Sequence, residues 1–145
     1  MERILAIDFG RKKIGLAVTD ESRLVISSLP QITNDTNLWR SISAILTEYN
    51  PETILLGYPY THLDQKTPIQ NEIIAFKNKL ATLGNFNIIL QDESYTSQEA
   101  GKIYIQNRGG KKTSVKKFKE RKQKIDSLAA HLLLRNYLNF PVDGV

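Results

Sequence analysis

Asp8, Glu93 and Asp126 are the residues of this 145-residue chain whose type and surroundings suggest chemistry. Asp8 closes the apolar run Ile4-Leu5-Ala6-Ile7, where a carboxylate is costly to desolvate unless it is paired or bound to a cation. Glu93 follows the apolar run Phe86–Leu90, and ligands of open α/β sheets gather beyond the carboxyl ends of strands. Asp126 borders the apolar stripe of the last amphipathic segment, beside the small residues Ala129 and Ala130. Each acid also has an ordinary structural use: Asp8 in the turn into Gly10, Glu93 as a helix-capping loop residue, Asp126 as an i−4 partner of Lys122. Spacing alone does not decide between these uses. Gathered at one spot, however, three carboxylates repel and raise one another's pKa unless cations neutralise them. Two divalent ions about 3.5–4 Å apart in such a cluster activate water and stabilise the leaving oxygen of a phosphodiester.

Composition narrows the cation. The chain has no cysteine and two histidines, His62 and His131, which excludes thiolate catalysis and a cysteine-ligated zinc site. Oxygen ligands favour a hard ion, Mg²⁺ or Mn²⁺. The formal net charge is +5, and half of the 20 basic residues fall between Lys102 and Lys124, with Glu120 the only acid among them. That cluster exceeds what one solvated helix face needs and predicts contact with phosphates, so nucleic acid is the expected partner. The basic residues expected to bind it are Arg11, Lys12, Arg108, Lys111, Lys112, Lys116 and Lys117. No apolar run reaches bilayer-spanning length, and the start of the sequence lacks the apolar stretch of a signal peptide, so a cytoplasmic location is expected.

The elements that must carry these residues follow from hydrophobic pattern and turn chemistry. Arg3–Phe9, Ile14–Thr19 and Leu24–Ile32 read as an antiparallel meander, with turns at Gly10–Lys13 and Asp20–Ser22. A helix is predicted over Asn37–Tyr49, with its N-cap at Asp35 or Thr36, and a buried parallel strand over Thr53–Gly57, ended by Pro59. A second helix over Pro68–Leu83 has Gly84 at its C′ position, and a further strand runs Phe86–Leu90. A short helix near Ser97–Gln106 and a last one over Glu120–Leu138 complete the order, the latter with Ile125, Leu128, Ala129, Leu132 and Leu133 facing inward. The pattern predicts one α/β domain over residues 1–145, its mixed five-stranded sheet made of the three-stranded meander and two parallel strands, flanked by helices.

With these positions in view, the chain resembles the YqgF (RuvX) family. The resemblance rests on Ile7-Asp8-Phe9-Gly10-Arg11-Lys12-Lys13-Ile14-Gly15, on Leu56-Gly57-Tyr58-Pro59, on Asp92-Glu93 with Thr96, and on Ile125-Asp126-Ser127-Leu128-Ala129-Ala130. It implies a ribonuclease-H-like fold and a nuclease that matures the 5′ end of pre-16S ribosomal RNA, in a family also described as Holliday junction resolvase-like. Carried over by position, it implies that Asp8, Glu93 and Asp126 are the catalytic and metal-binding acids. Ser94 stands where the family usually has Arg, and Asp64-Gln65 replaces an Asp-Gly pair, departures that touch substrate alignment rather than the acids. Two other readings remain from the residues: an actin-like nucleotide-binding fragment, suggested by Asp8-Phe9-Gly10, and a catalytically silent nucleic-acid-binding module. An actin-like ATPase needs a second lobe, for which 145 residues leave no room. RNA against DNA, and monomer against homodimer, stay open at this level.

The basic segment gives the first test. Replacing Lys111, Lys112, Lys116 and Lys117 with Gln is expected to weaken nucleic-acid binding across all sequences and to flatten the dependence of affinity on salt. A salt titration of oligonucleotide binding that gives the parent's slope would remove this segment from the interface.

Overall fold

The structure, a computed structural model, describes residues 3–62, 64–93 and 127–138. Its elements in chain order are β1 (Ile4–Asp8), β2 (Lys13–Thr19), β3 (Ile26–Thr33), α1 (Leu38–Tyr49), β4 (Thr53–Tyr58), α2 (Pro68–Ala81), β5 (Asn87–Asp92) and α3 (Leu128–Leu138). The strands form one sheet in the order β3-β2-β1-β4-β5. β1 and β3 both pair antiparallel with β2, while β1–β4 and β4–β5 are parallel. This is the mixed sheet that the sequence predicts: the meander folds locally through short turns, and the parallel strands return through the crossover helices α1 and α2.

The two faces of the sheet are packed differently. Leu5, Ile7, Leu16, Ile54 and Leu56 point to one face, where α1 and α2 bring Leu38, Ile42, Leu46, Ile73, Phe76 and Leu80. Ile4, Ala6, Ala17 and Leu55 point to the other and meet Ala130, Leu133 and Leu134 of α3. The first face is thick with branched side chains; the second is thin, because alanines on sheet and helix let α3 approach closely. Asp8 continues the Ile4–Ala6 parity of β1, so it emerges on the thin face.

Several boundaries differ from the sequence reading. β3 begins at Ile26, not Leu24, because Asp20 Oδ1 accepts from the backbone N–H groups of both Leu24 and Val25 and holds them in the turn with their side chains outward. α1 is entered through Asn37, whose side chain makes no capping bond; Asp35 instead accepts from the Asn37 N–H, two residues too early to cap the helix. α2 stops at Ala81 with Thr82 as its C-cap, so Gly84 lies beyond the C′ position, while a Thr67–Gln70 capping box fixes its start. β5 extends to Asp92 because Gln91 and Asp92 continue the parallel pairing with Gly57 and Tyr58.

The inward face of α3 keeps two of the expected residues and differs at the others. Leu132 and Leu133 are buried as expected and are joined by Ala130 and Leu134, whereas Leu128 and Ala129 are only half-buried. Periodicity does not choose between Ala129 and Ala130; the choice falls to the sheet, whose Ala6 and Ala17 leave a shallow seat that Ala130 fills. The predicted helix near Ser97–Gln106, and Ile125 with the first part of the last predicted helix, lie outside the described residues.

Because Ala130 shares that seat with Ala6 and Ala17, Ala130→Leu should overpack it and cost about 1–3 kcal/mol of stability. Urea unfolding of parent and variant measures this; an equal midpoint would show that α3 has room to lift.

Candidate active site

The carboxyl ends of β1, β4 and β5 lie side by side, and parity decides which side chains meet there. Ile7 pairs with Leu56, and Gly57 with Gln91, so Asp8, Gly57 and Gln91 form a row across the thin face. Glu93 lies just beyond β5, two residues on from Gln91 and on the same side; its N–H donates to the Tyr58 carbonyl at 3.2 Å. Asp92 has the opposite parity and is exposed. Of the two adjacent acids, Glu93 is therefore the one that turns into the site, where it shares a side-chain hydrogen bond with Asp8.

Gly57 makes this meeting sterically feasible. A Cβ there would stand 2.5 Å from Glu93 Oε2 and 3.2 Å from Leu133 Cδ1 of α3. Glycine thus leaves the space that the Glu93 carboxyl occupies. A glycine inside an otherwise Ile/Leu strand is the sequence signal that another group approaches closely.

The electrostatics are those of a crowded acid pair. Burial pushes the Asp8 carboxyl above its usual range, partly offset by the hydrogen bond from Glu93. Glu93 is pushed up to about 8 by burial first, then by its hydrogen bond to Asp8 and by the charges of Asp8 and Asp92. Two such groups share a proton in the absence of a cation, since both cannot ionise cheaply side by side.

Gln91 adds a further oxygen to this face. Its Nε2 donates to the Leu133 carbonyl at 3.0 Å, which fixes the amide orientation, and its Oε1 is buried with no hydrogen-bond partner among the described residues. Two proton-sharing carboxyls and a spare buried carbonyl oxygen fit a hard divalent cation or its water shell, and they offer nothing to a soft one. Among the described residues no group of three or more His, Cys, Asp and Glu converges.

Asp126, Ser94, Arg108, Lys111, Lys112, Lys116 and Lys117 lie outside the described residues. Ser127, next in the chain after Asp126, is described and buried. Its hydroxyl accepts from the Leu16 N–H at 3.0 Å and donates to the Leu29 carbonyl at 2.6 Å. Arg11 and Lys12 sit in the β1–β2 turn, exposed beside the site, with Asn34 fastening the turn through the Gly10 carbonyl. Arg11 is in an ion pair with Glu72 at 2.8 Å, while Lys12 points to solvent. His62 is an exposed loop residue, and His131 lies on α3 near Ser28, its pKa lowered by burial and by Arg135. Neither histidine joins the acid pair.

Comparison with known proteins gives the family and the fold. A family model described as "RuvX: Holliday junction resolvase" matches residues 2–140. The chain belongs to the RuvX family. Among curated relatives of RuvX proteins, one from Malacoplasma penetrans is 36% identical over 139 residues, covering 94% of this chain and 93% of its own. One from Amoebophilus asiaticus is 35% identical over 143 residues, covering 96% and 95%. Both carry the name "Putative pre-16S rRNA nuclease". Among solved structures, the fowlpox virus resolvase in complex with Holliday junction DNA aligns with a TM-score of 0.56 at 21% identity, covering 94% of this chain and 97% of that one. Thermus thermophilus RuvC aligns at 0.53 and 12%, covering 94% and 96%. The fold is thus the ribonuclease-H-like one of the RuvC-type resolvases.

The raised pKa of Glu93 fixes the sign of a pH effect. Without metal, the folded chain holds the Glu93 proton more tightly than the unfolded chain does. The stability from this group is complete below its ordinary 4.5 and is lost as the pH rises through about 8. Asp8, also raised, acts in the same direction. Glu93→Gln stays neutral, so in chelator its melting temperature should exceed the parent's above pH 8 and approach it near pH 4.5. Thermal unfolding across that range checks this; parallel curves would mean that the pair does not share a proton.

Proposed function

We propose that this RuvX protein is a metal-dependent nuclease of the two-metal type, one domain over residues 1–145, that hydrolyses phosphodiesters in processing the 5′ end of pre-16S ribosomal RNA. The observation that carries the reading is the hydrogen-bonded Asp8–Glu93 pair, held over Gly57 at the carboxyl ends of parallel strands. The names of relatives at 35–36% identity over nearly the full chain supply the substrate.

Asp8 and Glu93, joined by Asp126, would hold Mg²⁺ or Mn²⁺, which when bound supplies water activation and charge neutralisation at the scissile phosphate. The chain's own contribution is prior to that. The sheet fixes Asp8 through β1, which is hydrogen-bonded on both sides, and fixes Glu93 through the Tyr58 carbonyl. The thin face lets α3 close over the pair and limits its hydration, which strengthens any charge interaction inside. Giving up the shared proton readies both carboxylates as ligands. Support for Asp126 as the third acid comes from its neighbour Ser127, which is bonded to Leu16 in β2, directly across from Ile7 and one residue from the Asp8–Gly15 pair.

Around the acids, Lys12 and Arg11 offer positive charge on the β1–β2 turn. The partner in this reading is nucleic acid, with the basic cluster Arg108, Lys111, Lys112, Lys116 and Lys117 gripping phosphates. Among the described residues no helix is long and apolar enough to cross a membrane, in keeping with action on ribosomal RNA in the cytoplasm. A four-way DNA junction is the second substrate to weigh, because the family description and the fowlpox virus resolvase complex both name it.

The test offers purified protein, with Mn²⁺ or Mg²⁺, end-labelled precursor rRNA and a four-way DNA junction side by side. Cleavage at the 5′ boundary of the mature rRNA is expected, and Asp8→Asn should reduce it by orders of magnitude while leaving the fold intact. Preferential cleavage of the junction would reassign the substrate; an Asp8→Asn variant as active as the parent would sink the mechanism.

A further inference from the structure

β2 and β3 do not pair continuously. Ile14 faces Ile32 and Leu16 faces Leu29, so Gly15 alone stands opposite Pro30 and Gln31, a bulge on the β3 side. Pro30 has no N–H to lose there, which suits a bulge in an edge strand. Beside the bulge the Ser127 hydroxyl enters the sheet, taking the Leu16 N–H and giving its own proton to the Leu29 carbonyl. A side chain from a helix thus bridges two neighbouring strands where the ladder is open. Meanwhile the Ser127 carbonyl accepts from His131 N–H at 2.9 Å, inside the first turn of α3. One residue therefore belongs to both the sheet and the helix.

The place of this bridge matters. Leu16 pairs with Ile7, and the next pair along the same strands is Gly15 with Asp8. Farther along α3, the Gln91–Leu133 hydrogen bond ties the helix to β5, beyond Asp8 and Gly57 from β2. The helix is fastened to the sheet at two points that lie on either side of Asp8 and Gly57. We propose, resting on the metal-centre reading above, that Ser127 is a positioning residue for that centre. Its hydroxyl sets where the start of α3 stands relative to Asp8, and through that helix where Leu133 holds Gln91 in the row beside the acids. Serine suits the role because a single hydroxyl is both donor and acceptor on a short stem, and both strand groups need satisfying. Alanine leaves Leu16 N–H and Leu29 C=O unmatched and lets the helix end drift; threonine retains the hydroxyl.

The experiment compares parent, Ser127→Ala, Ser127→Thr and Asp8→Asn as full-length proteins, well below their melting temperatures. Mn²⁺ binding is followed by calorimetry and the Leu16 amide by hydrogen exchange. Ser127→Ala is expected to bind Mn²⁺ about tenfold or more weakly, the range found for groups that orient metal ligands, with faster exchange at Leu16. Ser127→Thr should return both towards the parent. If Ser127→Ala does not fold, Ser127→Cys, with its weaker donor and acceptor, takes its place and should fall between parent and Asp8→Asn in Mn²⁺ affinity. A variant that loses thermal stability or Leu16 protection yet binds Mn²⁺ like the parent overturns the inference and leaves the metal centre standing. A parent whose Mn²⁺ binding is absent, or unaffected by Asp8→Asn, overturns the metal centre itself and the role of Ser127 with it.

Discussion

Two carboxyl groups held against each other in a half-dry cleft set the terms for the rest of this molecule. Asp8 and Glu93 each pay for burial, and neither can ionise fully while the other is charged. Such a pair persists only if the surrounding structure determines it more strongly than it resists. Here the determination comes from backbone hydrogen bonding. Asp8 is the last residue of a strand paired on both sides, and the Glu93 N–H is tied to a carbonyl of β4. The acids are thus carried by the most rigid part of the fold, and what they lack in charge compensation a proton or a cation must supply.

The unequal faces of the sheet serve this arrangement. On the thick face, Ile, Leu and Phe side chains from five strands and two helices form the larger of the two apolar clusters among the described residues. The thin face buries less, but its alanines and Gly57 bring α3 close enough for its backbone and side chains to bond to the sheet directly. Leu133 contributes twice, with its side chain packed beside Gly57 and its carbonyl accepting from Gln91. The larger apolar cluster lies on one side and the crowded acid pair on the other, so the pair's cost of burial falls away from the main core.

Polar contacts around the site repeat a single theme: side chains satisfy backbone groups where regular pairing stops. Ser127 does so at the β2–β3 bulge, Asn34 at the Gly10 turn, Asp20 at the tip of the β2–β3 hairpin, and Gln70 at the Pro59 carbonyl after β4. Each keeps an irregular segment in one conformation, and three of the four adjoin the ends of β1, β4 or their neighbours, where the acids emerge. The buried Gln91 Oε1 is the exception among the described residues, an acceptor with no donor, and it lies in the row with Asp8 and Gly57.

Much of this was already written in the sequence. The apolar runs, the Gly10 turn, Pro68 in the first turn of its helix and the helical stripes of α1 and α2 are local properties, and local propensity agrees with the final fold in each. The sequence also nominated Asp8 and Glu93, because an acid at the end of a buried strand is conspicuous wherever the strand finally lies. Spacing alone does not show that the two meet, since that requires β1 and β5 to be placed on either side of β4, a fact of strand order. Nor does it choose Glu93 over Asp92; the family resemblance does, and in the structure the choice follows from the parallel register with β4 continuing through Asp92. The burial of Ala130 rather than Ala129 and the insertion of Ser127 into the ladder were equally out of reach. Two adjacent alanines are alike until a surface selects one, and a serine shows its partners only when the strands it bridges, far away in the chain, have already paired.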